Sequence, residues 1–207
     1  MRVVVAKNVR SEFGPAIDRL FSEKRIEDAR LDPTTPLFRK PDWRELGFPH
    51  NPWKGVMHIG DTSDPSEYGR QFERAWIAWM ETVAEIGTTE IAMVGMPLDA
   101  RASEEPAAAI APLERDGILE AGHAVMIFIS NEWVAFDGSE SWAVRCHWEG
   151  ISILGASPEW MRRFRARYGK LAPLKTMFED IVDSEFGAGD YAETGDAIKA
   201  GVRWPED

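Results

Sequence analysis

The residues able to do chemistry are few: four histidines, His50, His58, His123 and His147, a single cysteine, Cys146, and carboxylates scattered along the chain. Their densest grouping lies in residues 142–149. Taken as a regular strand, this stretch puts Trp142, Val144, Cys146 and Trp148 on one face and Arg145, His147 and Glu149 on the other. The first face is apolar and belongs in a core. The second sets a base, a titratable imidazole and an acid in a row, which suits proton transfer or, on an open sheet face, cross-strand ion pairs. Together with Asp137 from the preceding turn and His58 from an earlier segment, His147 and Glu149 make the candidate catalytic set of an enzymatic reading. Cys146 precedes His147 directly, but neighbours on a strand point to opposite faces, so the two cannot share a proton. Cys146 is expected to be buried and unreactive.

Complete motifs are missing around these residues. The chain contains no Walker lysine loop, and Gly187-Ala188-Gly189 is a fragment of a dinucleotide fingerprint that follows a helical pattern instead of a strand. Ser139 and Ser141 lack the flanking glycines of a nucleophile elbow. The histidines and Cys146 show no metal-ligand spacing on a common helix or turn. No cofactor and no metal are expected, and catalytic residues stay unassigned.

The elements that would position these groups follow from periodicity. Arg2 to Ala6 predicts a buried strand, followed by a helix on Phe13, Ile17, Leu20 and Phe21 with Ser11 as its cap. Residues 31–65 carry Pro33, Pro36, Pro41, Pro49 and Pro52 with Trp43, Phe48 and Trp53, which predicts an ordered loop packed on the body, with a brief strand from Val56 to Gly60. Asp64-Pro65-Ser66-Glu67 opens the clearest helix, whose stripe is Tyr68, Phe72, Ala75, Trp76, Trp79 and Val83, with Gly87 as its stop. Thr89 to Gly95 predicts a strand, and Glu104 to Leu119 a helix broken near Pro106 and Pro112. His123 to Ser130, Glu132 to Asp137, Trp142 to Trp148 and Ile151 to Leu154 are short β-rich runs between turn signals and predict an antiparallel meander. Helices follow from Ser157-Pro158 and after Pro173, and from about residue 187 an irregular tail anchored by Trp204 is expected. The expected fold is α+β, a single domain over 1–207: one mixed, largely antiparallel sheet with helices packed on it.

Charge separates the function classes. The net charge of −11 opposes attraction to phosphate backbones and anionic lipid, so neither nucleic acid nor membrane is an expected partner. No apolar run approaches the roughly 20 residues of a membrane span, and one cysteine requires no oxidising compartment, which points to the cytoplasm. Acidic residues concentrate at Glu179, Asp180, Asp183 and Glu185, a surface suited to steering a basic protein partner. Arg162, Arg163, Arg165, Arg167 and Lys170 form the one strongly basic stretch, expected as a solvated or salt-bridged helix face. In size and composition the chain resembles the toxin-neutralising immunity proteins of bacteria, whose acidic faces block basic toxins. That resemblance implies a non-catalytic protein-binding protein. The competing expectation is a small-molecule enzyme or ligand-binding protein with a pocket between the proline-rich loop and the sheet.

Overall fold

The computed structural model describes residues 1–23, 36–60, 66–96, 104–126, 132–147, 150–186 and 192–205. Its elements run β1 (Arg2–Val5), α1 (Ala6–Leu20), β2 (Arg44–Phe48), α2 (Pro52–Met57), α3 (Glu67–Glu85), β3 (Glu90–Met96), β4 (Pro106–Pro112), α4 (Arg115–Met126), β5 (Glu132–Phe136), β6 (Trp142–His147), β7 (Ser152–Ala156), α5 (Pro158–Tyr168), α6 (Ala172–Phe186) and α7 (Ala192–Gly201). The strands form one seven-stranded sheet in the order β1-β4-β3-β5-β6-β7-β2, and every described pairing is antiparallel. This is an α+β fold with no parallel component among the described strands.

Both faces of the sheet are covered. One carries Met93, Ala135, Val144 and Leu154 in a row and packs against α2, α3, α4 and α5 through Val56, Trp76, Trp79, Ile118, Ala121, Trp160 and Phe164. The other carries Val94, Val134 and Ile153 and packs against α1, the second half of α6, α7 and the aromatics Phe21, Phe38 and Trp43. The tryptophan stripe of α3 is core, as its spacing predicts: Trp76 stands edge-on to Trp79, and Trp79 edge-on to Trp142. Ser66 caps this helix by accepting from the Gly69 amide, so the N-cap is the serine; Asp64 and Pro65 lie outside the described residues.

Several elements differ from the sequence expectation. Helix α1 begins at Ala6, directly after β1, so Pro15 lies inside it and Ser11 is no cap. Pro106 and Pro112 bound strand β4 instead of breaking a helix, and Pro112 lies so close to α4 that a Cβ on Gly117 would be 2.8 Å from its carbonyl oxygen. Residues 123–126 are the last turn of α4, not a strand. Within the proline-rich segment, the strand is β2, and Val56 belongs to α2, which Asn51 caps by accepting from the Lys54 amide. The expected irregular tail contains α7, and beyond it Trp204 packs on the Phe178 ring.

Edge strand β2 is closed by the C-terminal part of the chain. The Glu45 amide donates to the Arg203 carbonyl at 3.0 Å, and the Glu45 carboxylate accepts from the Arg203 amide and guanidinium at 3.2 and 2.7 Å. Helix α6 crosses the same edge, placing Leu174 and Met177 in one core and Phe178 and Val182 in the other. Its close approach requires a glycine in β2: a Cβ on Gly47 would sit 2.4 Å from the Phe178 ring. Gly47→Ala is therefore expected to cost about 1–3 kcal/mol through the displaced ring. Chemical denaturation checks this, and an unchanged midpoint would show that α6 is free to move away from the strand.

Candidate functional site

At one end of the sheet Met96 of β3 lies opposite Glu132 of β5, and Glu132 lies opposite His147 of β6. Two pairs further in, Arg145 donates from Nε to Glu132 Oε2 at 3.0 Å and from Nη1 to the Ser22 carbonyl at 3.2 Å. Glu132, Arg145 and His147 are each only 2% exposed, and the His147 ring meets Phe186 of α6 with centroids 5.6 Å apart. The strand alternation predicts that Arg145 and His147 share a face, and they do. That face is covered by helices instead of being open, because α6 and the segment carrying Ser22 lie over it. Glu149 and Trp148 lie outside the described residues, as does Gly187-Ala188-Gly189.

His58 belongs to the other side of the sheet. It follows α2 and stacks on His50 with centroids 5.7 Å apart and planes 10° apart, and both rings meet Phe72 of α3 edge-on. His50 Nδ1 lies 3.1 Å from the Gly150 carbonyl oxygen, so Nδ1 carries the proton and donates. Burial lowers the His50 pKa to about 4, with His58 and Lys54 adding to the effect and the Gly150 hydrogen bond opposing it. His50 is neutral at physiological pH. His123 is exposed on α4, edge-on to Trp53.

Asp137 stands at the opposite end of the β5–β6 hairpin from His147. Its carboxylate accepts from Thr88 Oγ1, from the Ser139 amide and hydroxyl at 2.9 and 2.6 Å, and from Trp142 Nε1 at 2.9 Å. Those bonds organise a turn that also carries Glu140 at φ 52°, held by Arg19 and Lys40. Asp137 lines a hollow of about 260 Å³, but its oxygens are occupied by these structural donors. The fold thus does not bring His58, His147 and Asp137 together. Among the described residues no group of three His, Cys, Asp or Glu side chains is placed to hold a metal ion. Cys146 is fully buried opposite Ser152, and burial pushes its thiol pKa well up, so it stays protonated.

The carboxylates Glu179, Asp180, Asp183 and Glu185 lie on α6. Asp180, Asp183 and Glu185 are exposed, while Glu179 is half-buried and 3.8 Å from Lys175. Asp183 pairs with Lys199 of α7, which also holds Asp196. On α5, Arg162 and Arg163 pair with Glu159, and Arg163 and Arg167 reach across to Glu85 of α3. Much of the basic stretch is thus a salt-bridged helix face. Sequence reasoning missed the partner of Arg145. The signal was the carboxylate opening the β5 run, but linking Glu132 to Arg145 requires the hairpin register.

No protein-family model, curated protein or solved structure matches this chain. No helix among the described residues is long and apolar enough to cross a membrane.

The low pKa of His50 has a thermodynamic consequence. The unfolded chain binds the proton near the ordinary histidine value, well above the folded one, so folding stability falls as pH drops through that window. Stability is expected to decrease by about 1–2 kcal/mol between about pH 7 and pH 5 from this group. The difference in pH slope between the wild type and His50→Asn, followed by urea denaturation, measures it. Parallel pH profiles would contradict a half-buried, neutral His50.

Proposed function

We propose that this protein acts without catalysis, by binding a basic protein partner through the outer surface of α6 and α7, as an inhibitor of the immunity type would. The observation that carries this reading is the charge of that helical pair. It holds the carboxylates Glu179, Asp180, Asp183, Glu185, Glu193 and Asp196 against the two lysines Lys175 and Lys199. Asp180, Glu185 and Glu193 are exposed and form no ion pair among the described residues. The same helices are anchored from beneath by Phe178, Val182, Phe186 and Ile198, so the carboxylates sit on a backed surface.

A fixed negative patch speeds encounter with a cationic surface, while apolar contacts within the interface slow dissociation. The half-buried Ile181 and the partly exposed Tyr68, whose hydroxyl reaches the Met177 carbonyl at 3.5 Å, are the apolar contributors beside this patch. The separation of His58, His147 and Asp137 gives the enzymatic reading no comparable support.

Asp183 is unsuited to a charge test because reversing it would also break its pair with Lys199. Asp180→Lys with Glu185→Lys changes exposed groups only. The doubly reversed protein is expected to keep its unfolding midpoint and to associate about tenfold or more slowly with a partner recovered by affinity capture, an effect that fades at high salt. Equal association rates for the two proteins would refute this surface as the interface.

A further inference from the structure

A second surface has the opposite sign. Between α5, the start of β2 and the C-terminal segment runs an open groove of about 1040 Å³, lined by Arg44, Arg162, Arg165 and Lys170 over a floor that includes Met161 and Pro205. No carboxylate is among the described lining residues, in a chain whose net charge is −11. Arg162 is paired with Glu159 of its own helix, whereas Arg44 and Lys170 are exposed and form no ion pair among the described residues.

The walls of the groove are held in place. Arg44 precedes Glu45, whose carboxylate grips Arg203, and this clamp fixes the β2 edge relative to the segment that carries Pro205. On the other side, α5 is locked by Ser157, which caps it by accepting from the Trp160 amide, and by the stacked rings of Trp160, Phe164 and Tyr168. Arg44 on β2 and Lys170 just beyond the end of α5 thus line one channel between two anchored elements.

We propose that this groove binds an extended acidic peptide segment of a partner protein, its carboxylates on Arg44 and Lys170 and its apolar side chains on Pro158 and Pro205. Two features favour a peptide over a compact anion. Arg44 lies opposite Ala156, just before the start of α5, Arg162 and Arg165 stand about one turn apart along the helix and Lys170 follows its end, so the cations are spread along the channel instead of converging on a point. The apolar groups among them suit a chain in which acidic and apolar residues alternate. Local positive charge set in a negative molecule also selects against non-specific polyanions, which the rest of the surface repels. This site is separate from the α6–α7 surface and stands or falls independently of it.

The test uses the full chain and a fluorescein-labelled peptide of about eight alternating glutamate and leucine residues, followed by fluorescence anisotropy at low salt. Saturable binding is expected, absent for the glutamine version of the peptide and not displaced by pyrophosphate. Arg44→Ala with Lys170→Ala should weaken it about tenfold or more. Ala166→Glu, on an exposed turn of α5, should weaken it by a separate route. Failure of the acidic peptide to saturate, equal affinity in both variants, or equal binding of the glutamine peptide would overturn the proposal. Displacement by pyrophosphate would overturn it in favour of a small-anion site.

Discussion

The ion pair between Arg145 and Glu132 is the constraint to which the rest of the sheet is built. Each group is 2% exposed, and the pair lies under helices, so neither charge has water to fall back on. An uncompensated charge in such a place costs several kcal/mol, so the two strands must meet in the register that sets Glu132 diagonally across from Arg145. A slip of one residue would turn the guanidinium onto the opposite face, among Trp79, Trp133 and Leu154. The same register places Asp137 under the Trp142 indole at the other end of the hairpin and sets Cys146 and Val144 into the tryptophan-rich core.

A sheet covered on both faces keeps its buried charges for structural use. The interior carboxylates show this. Glu132 holds Arg145, Glu45 holds Arg203, and Asp137 holds a turn. Two of the outer surfaces differ in sign, with carboxylates predominating on α6 and α7 and cations lining the groove beside α5. Helix α6 connects these regions, starting just after Lys170 and ending over His147.

The elements with a clear period or cap are legible in the sequence: α3 from its aromatic stripe, α5 from Ser157-Pro158, and the β5–β6–β7 meander from β-branched runs divided by turns. Strand β4 was not, because its alanines favour a helix in isolation and its bounding prolines look like helix breakers; pairing with β1 and β3 overrides both. Strand β2 was hidden for the same reason, since Arg44-Glu45-Leu46-Gly47-Phe48 has neither β-branched residues nor clean alternation and is a strand through β7 and Arg203. Of the candidate site, the shared face of Arg145 and His147 could be read from alternation. Its burial could not, because what covers it comes from segments distant in sequence, at Ser22 and Phe186. The partition of charge among surfaces was equally hidden, as Arg44 and Lys170 come to line one groove only once α5 is laid beside the β2 edge.

A double-mutant cycle on Glu132→Gln and Arg145→Met, read by chemical denaturation, tests most directly whether this buried pair organises the sheet. Each single change is expected to cost about 3–5 kcal/mol, because it strands a charge in the interior. The double variant should lose much less than the sum, with a coupling of about 2 kcal/mol or more. Losses that add to within about 0.5 kcal/mol would show that the two charges are held independently, and would contradict the pair as the constraint on which the strand register depends.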